Sequence, residues 1–205
     1  MKFGHTETFG WEGAFRGMRN PKESWNRSDS CFDENGNYIL GDNDLDLATR
    51  LIKAGTEHRK FLRMIHVQTD MTAPLYVFKE YDTYKVATVA NSTSTIHKLT
   101  SKPITMDCFE IDDMRDFERL YFQQLVDGCE NYRQRYLQTK DVNIWKALIR
   151  VLPESWLQTR TIDLNYETLR TIYHQRKYHK LTEWHTFCDW VKTLPYAKEL
   201  ITDED

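Results

Sequence analysis

The stretch VLPESWLQTRTIDLNYETLRTIYHQRKYHKLTEWHTFCDWVKTL, Val151 to Leu194, reads as a strand running into two helices. Trp156 to Leu164 mixes β-branched and polar residues with the rough alternation of a strand whose faces differ, and Pro153 ahead of it is a breaker. Beyond it, Leu169, Ile172, Tyr173 and Arg176 fall at i, i+3, i+4 and i+7, which puts three apolar groups and one guanidinium on the same helical stripe. An arginine ending an apolar stripe faces the core or a cleft, and a cation there needs an anionic partner. That partner is either a carboxylate of this chain, the commoner arrangement, or the phosphate of a ligand.

After Arg176 come His179, His185 and Cys188, a set that invites a metal reading. The spacing argues against it. Cys188 shares the apolar stripe of Trp184, Phe187 and Val191 and reads as core, so no metal site is expected. The ending ITDED, from Ile201, reads as a frayed acidic tail.

The pair Leu152-Pro153, the strand, then Asn165, Leu169, Arg176 and Glu183-Trp184 resemble the C-terminal signature of the flavin-dependent thymidylate synthases (ThyX). In that family an LP strand leads to an NxRSLxHFLxLR helix and an AQWEIR helix. The last arginine of the first helix holds the phosphate of deoxyuridylate there, so the resemblance assigns this role to Arg176. Glu167 stands where the family has arginine and Thr171 where it has histidine or asparagine. Asn165 and Thr171 fall on the flavin side of that helix.

A second segment, APLYVFKEYDTYKVATVANSTSTIHKL from Ala73 to Leu99, runs without insertions along the APxFVxRQWxRHRxxSxNExSxRY signature of the same family. Ala73-Pro74 falls on AP, Val77 on V, Glu80 on Q and Thr83-Tyr84-Lys85 on RHR. Thr88 falls on the first serine, Asn91 on the glutamate, Thr93 on the second serine and Thr95-Ile96 on RY. RHR contributes to flavin binding in the family. Of the three positions only Lys85 keeps a positive charge here, without a guanidinium's bidentate fork. Asn91 can hydrogen-bond a pyrimidine edge but supplies neither negative charge nor a general base. Read without any family, the hydroxyls and amides of NSTST at 91 to 95 suit either an ordinary turn or a phosphate cradle.

Residues 1 to 43 are rich in Gly, Asn, Asp and Ser, with the turn signal ENGN at 34 to 37, and read as loop with room for a hairpin. Arg16, Arg19, Lys22 and Arg27 interleave there with Trp25 and several hydroxyls, which suits either a solvated loop or a phosphate wrap. Arg19, Asn20 and Ser24 are the candidate contacts. Asp44 to Ala54 places Leu45, Ala48, Leu51 and Ile52 on one stripe with Gly55 as a stop, so a helix is expected. A strand is expected from Phe61 to Asp70. The run Gly55-Thr56-Glu57-His58 before Phe61 resembles the FEHxxFTF strand of the same family, which helps hold flavin, and makes Thr56 and His58 candidates. Asp112 to Lys140 reads as one long amphipathic helix, with Gly128 as a kink or a break, and Asp141 as the N-cap of VNIWKALIRV.

With 205 residues the chain is of single-domain size, and 40% hydrophobic with 29% charged residues is the composition of a soluble globular protein. A net charge of -3 gives no reason to expect duplex nucleic acid as a partner. No run of residues approaches the roughly 20 apolar residues of a membrane span, no signal peptide is evident, and a cytoplasmic location is expected. Cys31, Cys108, Cys129 and Cys188 form no CxxC pair, so reduced thiols are expected.

The resemblance implies an α+β ThyX-like fold with a curved, mostly antiparallel sheet and long helices, in a homotetramer with flavin sites between subunits. It implies a dUMP-methylating enzyme, or a related C5 modification, using FAD with NADPH and methylenetetrahydrofolate. Thr88, Asn91 and Arg176 would carry the chemistry. Glu80, Asn91, Ser92, Thr93, Ser94, Arg176 and Arg19 would meet the pyrimidine deoxynucleotide. Thr56, His58, Thr83, Tyr84, Lys85, Asn165 and Thr171 would meet the flavin. The other reading is a catalytically inactive nucleotide-binding or regulatory module on the same scaffold.

Overall fold

The computed structural model describes residues 1–203 and has the α+β architecture expected, built on an open sheet. Strand β1 (Lys2–Phe9) turns through Gly10, at a left-handed φ of 87°, into helix α1 (Trp11–Arg19). A Cβ at Gly10 would stand 2.1 Å from the Met64 carbonyl oxygen, so this corner requires glycine. Trp11, Ala14, Phe15 and Met18 form the buried face of α1. These two elements correct the expectation of loop across residues 1 to 43. The hairpin is where the turn signal puts it: β2 (Cys31–Phe32) pairs antiparallel with β3 (Tyr38–Ile39). Asp33 closes its turn by accepting from the backbone N–H groups of Asn35 and Asn37 at 2.9 and 2.8 Å.

Helix α2 (Asp42–Ala54) ends at Gly55, as read. The strand expected from Phe61 begins only at His66, because Lys60–Met64 form a tight helical turn. Phe61 and Leu62 are adjacent and both buried, which such a turn permits and strand alternation does not. Strand β4 (His66–Pro74) then buries Val67, Thr69, Met71 and Ala73 in strict alternation. Helix α3 (Leu75–Tyr81), strand β5 (Val89–Ser92) and the short helix α4 (Thr95–Lys98) follow. Helix α5 (Asp116–Thr139) runs unbroken through Gly128. Asp141 caps α6 (Val142–Val151), accepting from the Asn143 N–H at 2.8 Å. Strand β6 (Leu157–Asn165) and helices α7 (Tyr166–Arg176) and α8 (Thr182–Lys192) match the reading of residues 156 to 194. The sheet order is β1-β4-β6-β5.

The described residues form two compact units, each made of separate stretches of chain. The first comprises Met1–Lys2, Met71–Thr83 and Asn91–Arg160. Its core is Leu99, Ile104, Phe109, Val126, Cys129 and Leu148, where α5 and α6 pack against the connection ahead of them. Glu130 fastens that connection to α5: its carboxylate accepts from the Ile104 N–H at 2.8 Å and from both Nε and Nη2 of Arg133 at 2.7 Å. Arg133 in turn donates to the Thr100 carbonyl at 3.2 Å.

The second unit comprises Phe3–Asp70, Tyr84–Ala90 and the chain from Thr161 onward. Here α7 is buried through Leu169, Ile172 and Tyr173, and α8 through Trp184, Phe187 and Val191. Each such side chain contributes about 1.5–3 kcal/mol of burial. Ile201 and Thr202, expected in a frayed tail, lie buried in a π-helical turn, Lys198–Thr202. Arg170 holds that turn, donating to the Ile201 carbonyl at 3.0 Å and pairing with Asp203. Glu204 and Asp205 of the expected tail lie outside the described residues. Among the described residues no helix is long and apolar enough to cross a membrane.

Candidate functional site

The second unit holds the arginine singled out by its helical stripe. Arg176 ends α7, half-buried, and its Nε donates to the Tyr84 hydroxyl oxygen at 2.8 Å. Its guanidinium carbon lies 4.6 Å from the centre of the Trp184 ring and 5.5 Å from that of Tyr84. The Trp184 ring and the Tyr84 hydroxyl therefore flank the cation on adjacent sides, the two rings meeting edge to face with centres 6.4 Å apart. The Tyr84 hydroxyl donates to Gln175 Oε1 at 3.0 Å, and the Thr168 hydroxyl donates to the Val86 carbonyl at 3.2 Å, so the segment 84 to 90 is tied along α7.

Several predicted residues of this unit already satisfy their polar groups. The Thr88 hydroxyl donates to the Tyr84 carbonyl at 2.5 Å, closing a turn in which Ala87 has a φ of 54°. Asn165 is buried and caps α7, its side-chain oxygen accepting from the Thr168 N–H at 2.9 Å. The Thr171 hydroxyl donates back to the Glu167 carbonyl at 3.1 Å. Thr56 and His58 are exposed in the turn after α2, and Lys85 is exposed. Arg19 is buried, with Nε 2.5 Å from Asp44 Oδ1, so its charge is met within the chain. Burial pushes the Asp44 carboxyl up, and hydrogen bonds from Ser30, Ser28 and Arg19 outweigh it, leaving the group below its ordinary value. Asn20 accepts from the Trp25 indole N–H at 2.9 Å, and Ser24 lines a cleft of about 360 Å³ with Lys22 and Arg27.

In the first unit Glu80 lies in the last turn of α3, half-buried, and the exposed Thr83 donates from its hydroxyl to the Glu80 carbonyl at 2.7 Å. Asn91 and Ser92 are exposed on the edge strand β5. Thr93 extends the pairing toward β6, its N–H donating to the Thr159 carbonyl at 2.9 Å, and Ser94 caps α4. The NSTST run therefore divides: Asn91 and Ser92 present side chains to solvent, while Thr93 and Ser94 hold the local fold and Thr95 accepts from Gln158 Nε2 at 3.4 Å.

Three features escaped the sequence reading. Arg160 donates to Asp82 Oδ1 at 2.7 Å and stacks 3.9 Å from the centre of the Phe78 ring, ordering the end of α3. Trp184, read only as a core residue and a family position, flanks the Arg176 guanidinium. Arg59 grips Glu167, the residue that departs from the family's arginine. The Arg160 and Arg59 contacts join residues 78 and 108 apart in sequence, and the Trp184 contact crosses from one helix to the next, so no spacing within an element signals them. His185 bonds the His179 carbonyl at 2.7 Å, Cys188 is buried, and among the described residues no group of three His, Cys, Asp or Glu side chains is placed to hold a metal ion.

No protein-family model matches the sequence, and no curated protein sequence matches it. Solved structures do. The flavin-dependent thymidylate synthase ThyX of Helicobacter pylori, solved with FAD and dUMP, superposes with a TM-score of 0.73 over 99% of each chain at 15% identity. A second structure of that enzyme with the same ligands gives 0.74 at 17% identity, covering 99% of this chain and 98% of the other. The fold expected from the two sequence segments is the fold observed.

Proposed function

We propose that this protein is a divergent flavin-dependent thymidylate synthase-like enzyme acting on a pyrimidine deoxynucleotide, by methylation of dUMP to dTMP or a related modification at C5. The observation that carries the reading is Arg176, a guanidinium held at the end of α7 by the Tyr84 hydroxyl and the Trp184 ring. End-to-end likeness to an enzyme solved with FAD and dUMP supports it. A planar fork held in place suits a phosphate. In this reading Arg176 anchors the 5′-phosphate, and hydroxyls of Ser92, Thr93 and Ser94 supplement it. Asn91 and Glu80 address the pyrimidine edge. Thr88 keeps the segment beside Tyr84 in shape around the reacting centre. The work of the chain is orientation and electrostatics.

FAD is the cofactor of this proposal, with NADPH and methylenetetrahydrofolate as cosubstrates; bound flavin would supply the hydride. The residues present fit such a group in kind: Lys85 offers an exposed cation, Thr56, His58 and Thr83 exposed polar groups, and Tyr84 a ring beside Arg176. A homo-oligomer, by resemblance a tetramer with sites between subunits, belongs to the same reading. It is supported by the exposed apolar stripe Phe117, Leu120, Tyr121 and Leu125 on α5. A cytoplasmic location belongs to the same reading.

A second reading, a nucleotide-binding module without catalysis, is favoured by the internal use of Asn165, Thr171 and Glu167 at family flavin positions. Visible spectra of the purified protein with added FAD, and dUMP titration of the wild type and Arg176→Ala, separate the two. Flavin that is bleached by NADPH and reoxidised with dUMP and methylenetetrahydrofolate supports the enzyme. A colourless protein that binds dUMP through Arg176 supports the module. Unchanged dUMP affinity in Arg176→Ala defeats both.

A further inference from the structure

The second unit contains a cavity of about 800 Å³ between the β1–α1 corner, the β2–β3 hairpin and the bend at Pro195 and Tyr196. That volume is in the range of small-molecule sites. Five of its wall residues are aromatic: Phe9, Trp11, Phe32, Tyr38 and Tyr196. Trp11 meets Tyr196 edge to face with ring centres 5.7 Å apart, and Phe32 meets Tyr38 in the same way at 5.0 Å. The ring of Tyr196 is held at a cost. Its φ of 53° is a left-handed conformation that bulky residues avoid, and its hydroxyl accepts from the Leu40 N–H at 2.9 Å, fixing the end of the hairpin to this corner. Strain of this kind gathers at ligand clamps. Phe32 keeps 55% of its surface and Phe9 41% exposed, so the wall includes apolar surface that the fold does not cover.

The charge of the lining is one-sided. Glu12 is its one charged residue among the described residues, 62% exposed, and its 3.7 Å contact with Arg16 is of the exposed kind that contributes little. Burial raises the Tyr38 hydroxyl above its ordinary range, and the charges of Asp44 and Glu12 raise it further against a hydrogen bond with Ser30. Ring faces are themselves negative. Such a wall suits a positive charge spread over alkyl groups, which loses little hydration on entering and gains cation–π attraction.

We propose that this cavity binds an organic cation bearing an alkylated ammonium group, with Glu12 as counter-ion and Trp11, Phe32, Tyr38 and Tyr196 as the aromatic box. The proposal is independent of the nucleotide reading, and either stands if the other fails. The test is calorimetric titration of the full chain with choline and with a trimethyl-lysine peptide, which separate a free metabolite from a modified protein tail as the source. The neutral isostere 3,3-dimethylbutanol is the control, and the Trp11 indole N–H resonance locates binding. One of the cations binds, the neutral alcohol binds about tenfold more weakly, and Glu12→Gln and Phe32→Ala each weaken the cation by about fivefold or more. Both positions are exposed, and a melting temperature within error of the wild type verifies that the variants fold. No binding of either cation at millimolar concentration, equal binding of the neutral alcohol, or cation affinity unchanged in both variants overturns the proposal.

Discussion

Arg59 holds Glu167 through two parallel hydrogen bonds, Nε to Oε2 at 2.9 Å and Nη2 to Oε1 at 3.0 Å, with the side chains only 19% and 13% exposed. Glu167 takes the place of an arginine in the family the sequence resembles, and its charge is met inside the second unit. Removing the carboxylate as Glu167→Gln strands a shielded guanidinium and should cost about 1–3 kcal/mol in urea denaturation. The exchange Arg59→Glu with Glu167→Arg should recover most of the loss. A double variant no more stable than the sum of its single variants would remove the pair from the account.

The hydrogen bond from Arg176 to Tyr84 makes a graded prediction for nucleotide binding. Arg176→Ala removes the charge and should weaken dUMP about 100-fold, whereas Arg176→Lys keeps the charge, loses the fork and should fall between. Tyr84→Phe keeps the ring beside the guanidinium and loses only the hydroxyl, for about a fivefold loss. Calorimetric titration of the three variants checks the order. A Tyr84→Phe effect as large as that of Arg176→Ala would mean that the hydroxyl itself meets the ligand.

Glu130 makes the stability of the first unit depend on acid. Hydrogen bonds from Arg133 hold its carboxyl down, against the opposing effect of burial and with help from the Ile104 N–H and Gln134, at about 2 instead of 4.5. Between those values the unfolded chain binds the proton and the folded chain does not, so stability rises with pH. The contribution is complete above about 4.5 and is lost as pH falls toward about 2, amounting to about 2–3 kcal/mol. Glu130→Gln should be less stable than the wild type at neutral pH by that order and should approach it near pH 2. Urea midpoints at neutral pH and across the acid range measure the difference.

The elements that announced themselves in the sequence are those whose burial is periodic. Leu169, Ile172 and Tyr173 are fully buried where their spacing put them, and Asp141 caps α6 as its position before VNIWKALIRV implied. The same period was present in Trp11, Ala14, Phe15 and Met18, but Gly13 and Gly17 between them gave α1 the composition of a loop. Both glycines face Met64, whose side-chain atoms would stand 3.8 and 3.6 Å from an added Cβ, an ordinary contact, so neither position requires glycine for its packing. Strand β1 was invisible for another reason: at the edge of the sheet, KFGHTETF needs few apolar residues. Arg176 was legible because a charge on an apolar stripe is anomalous. Its surroundings were not, since Tyr84 reaches it from another part of the chain and Trp184 from the following helix.

The exposed face of α5 predicts how the protein associates. Phe117, Tyr121 and Leu125 follow one another at four-residue intervals with Leu120 beside them, at 55%, 69%, 42% and 64% exposure. Four large apolar side chains along two turns form a contiguous patch of the kind that monomers rarely leave in water and that a symmetric contact between copies covers. Charges placed there should break the contact without harming the core, since none of the four belongs to the buried cluster of the first unit. The wild type should sediment as an oligomer at micromolar concentration, and Leu120→Asp with Leu125→Asp should raise its dissociation constant by about 100-fold or more. Helix content by circular dichroism should stay unchanged, because α5 is fixed on its other side by Val126, Cys129 and Arg133. If the wild type sediments as a monomer, or the double variant keeps the wild-type mass, α5 is not the interface.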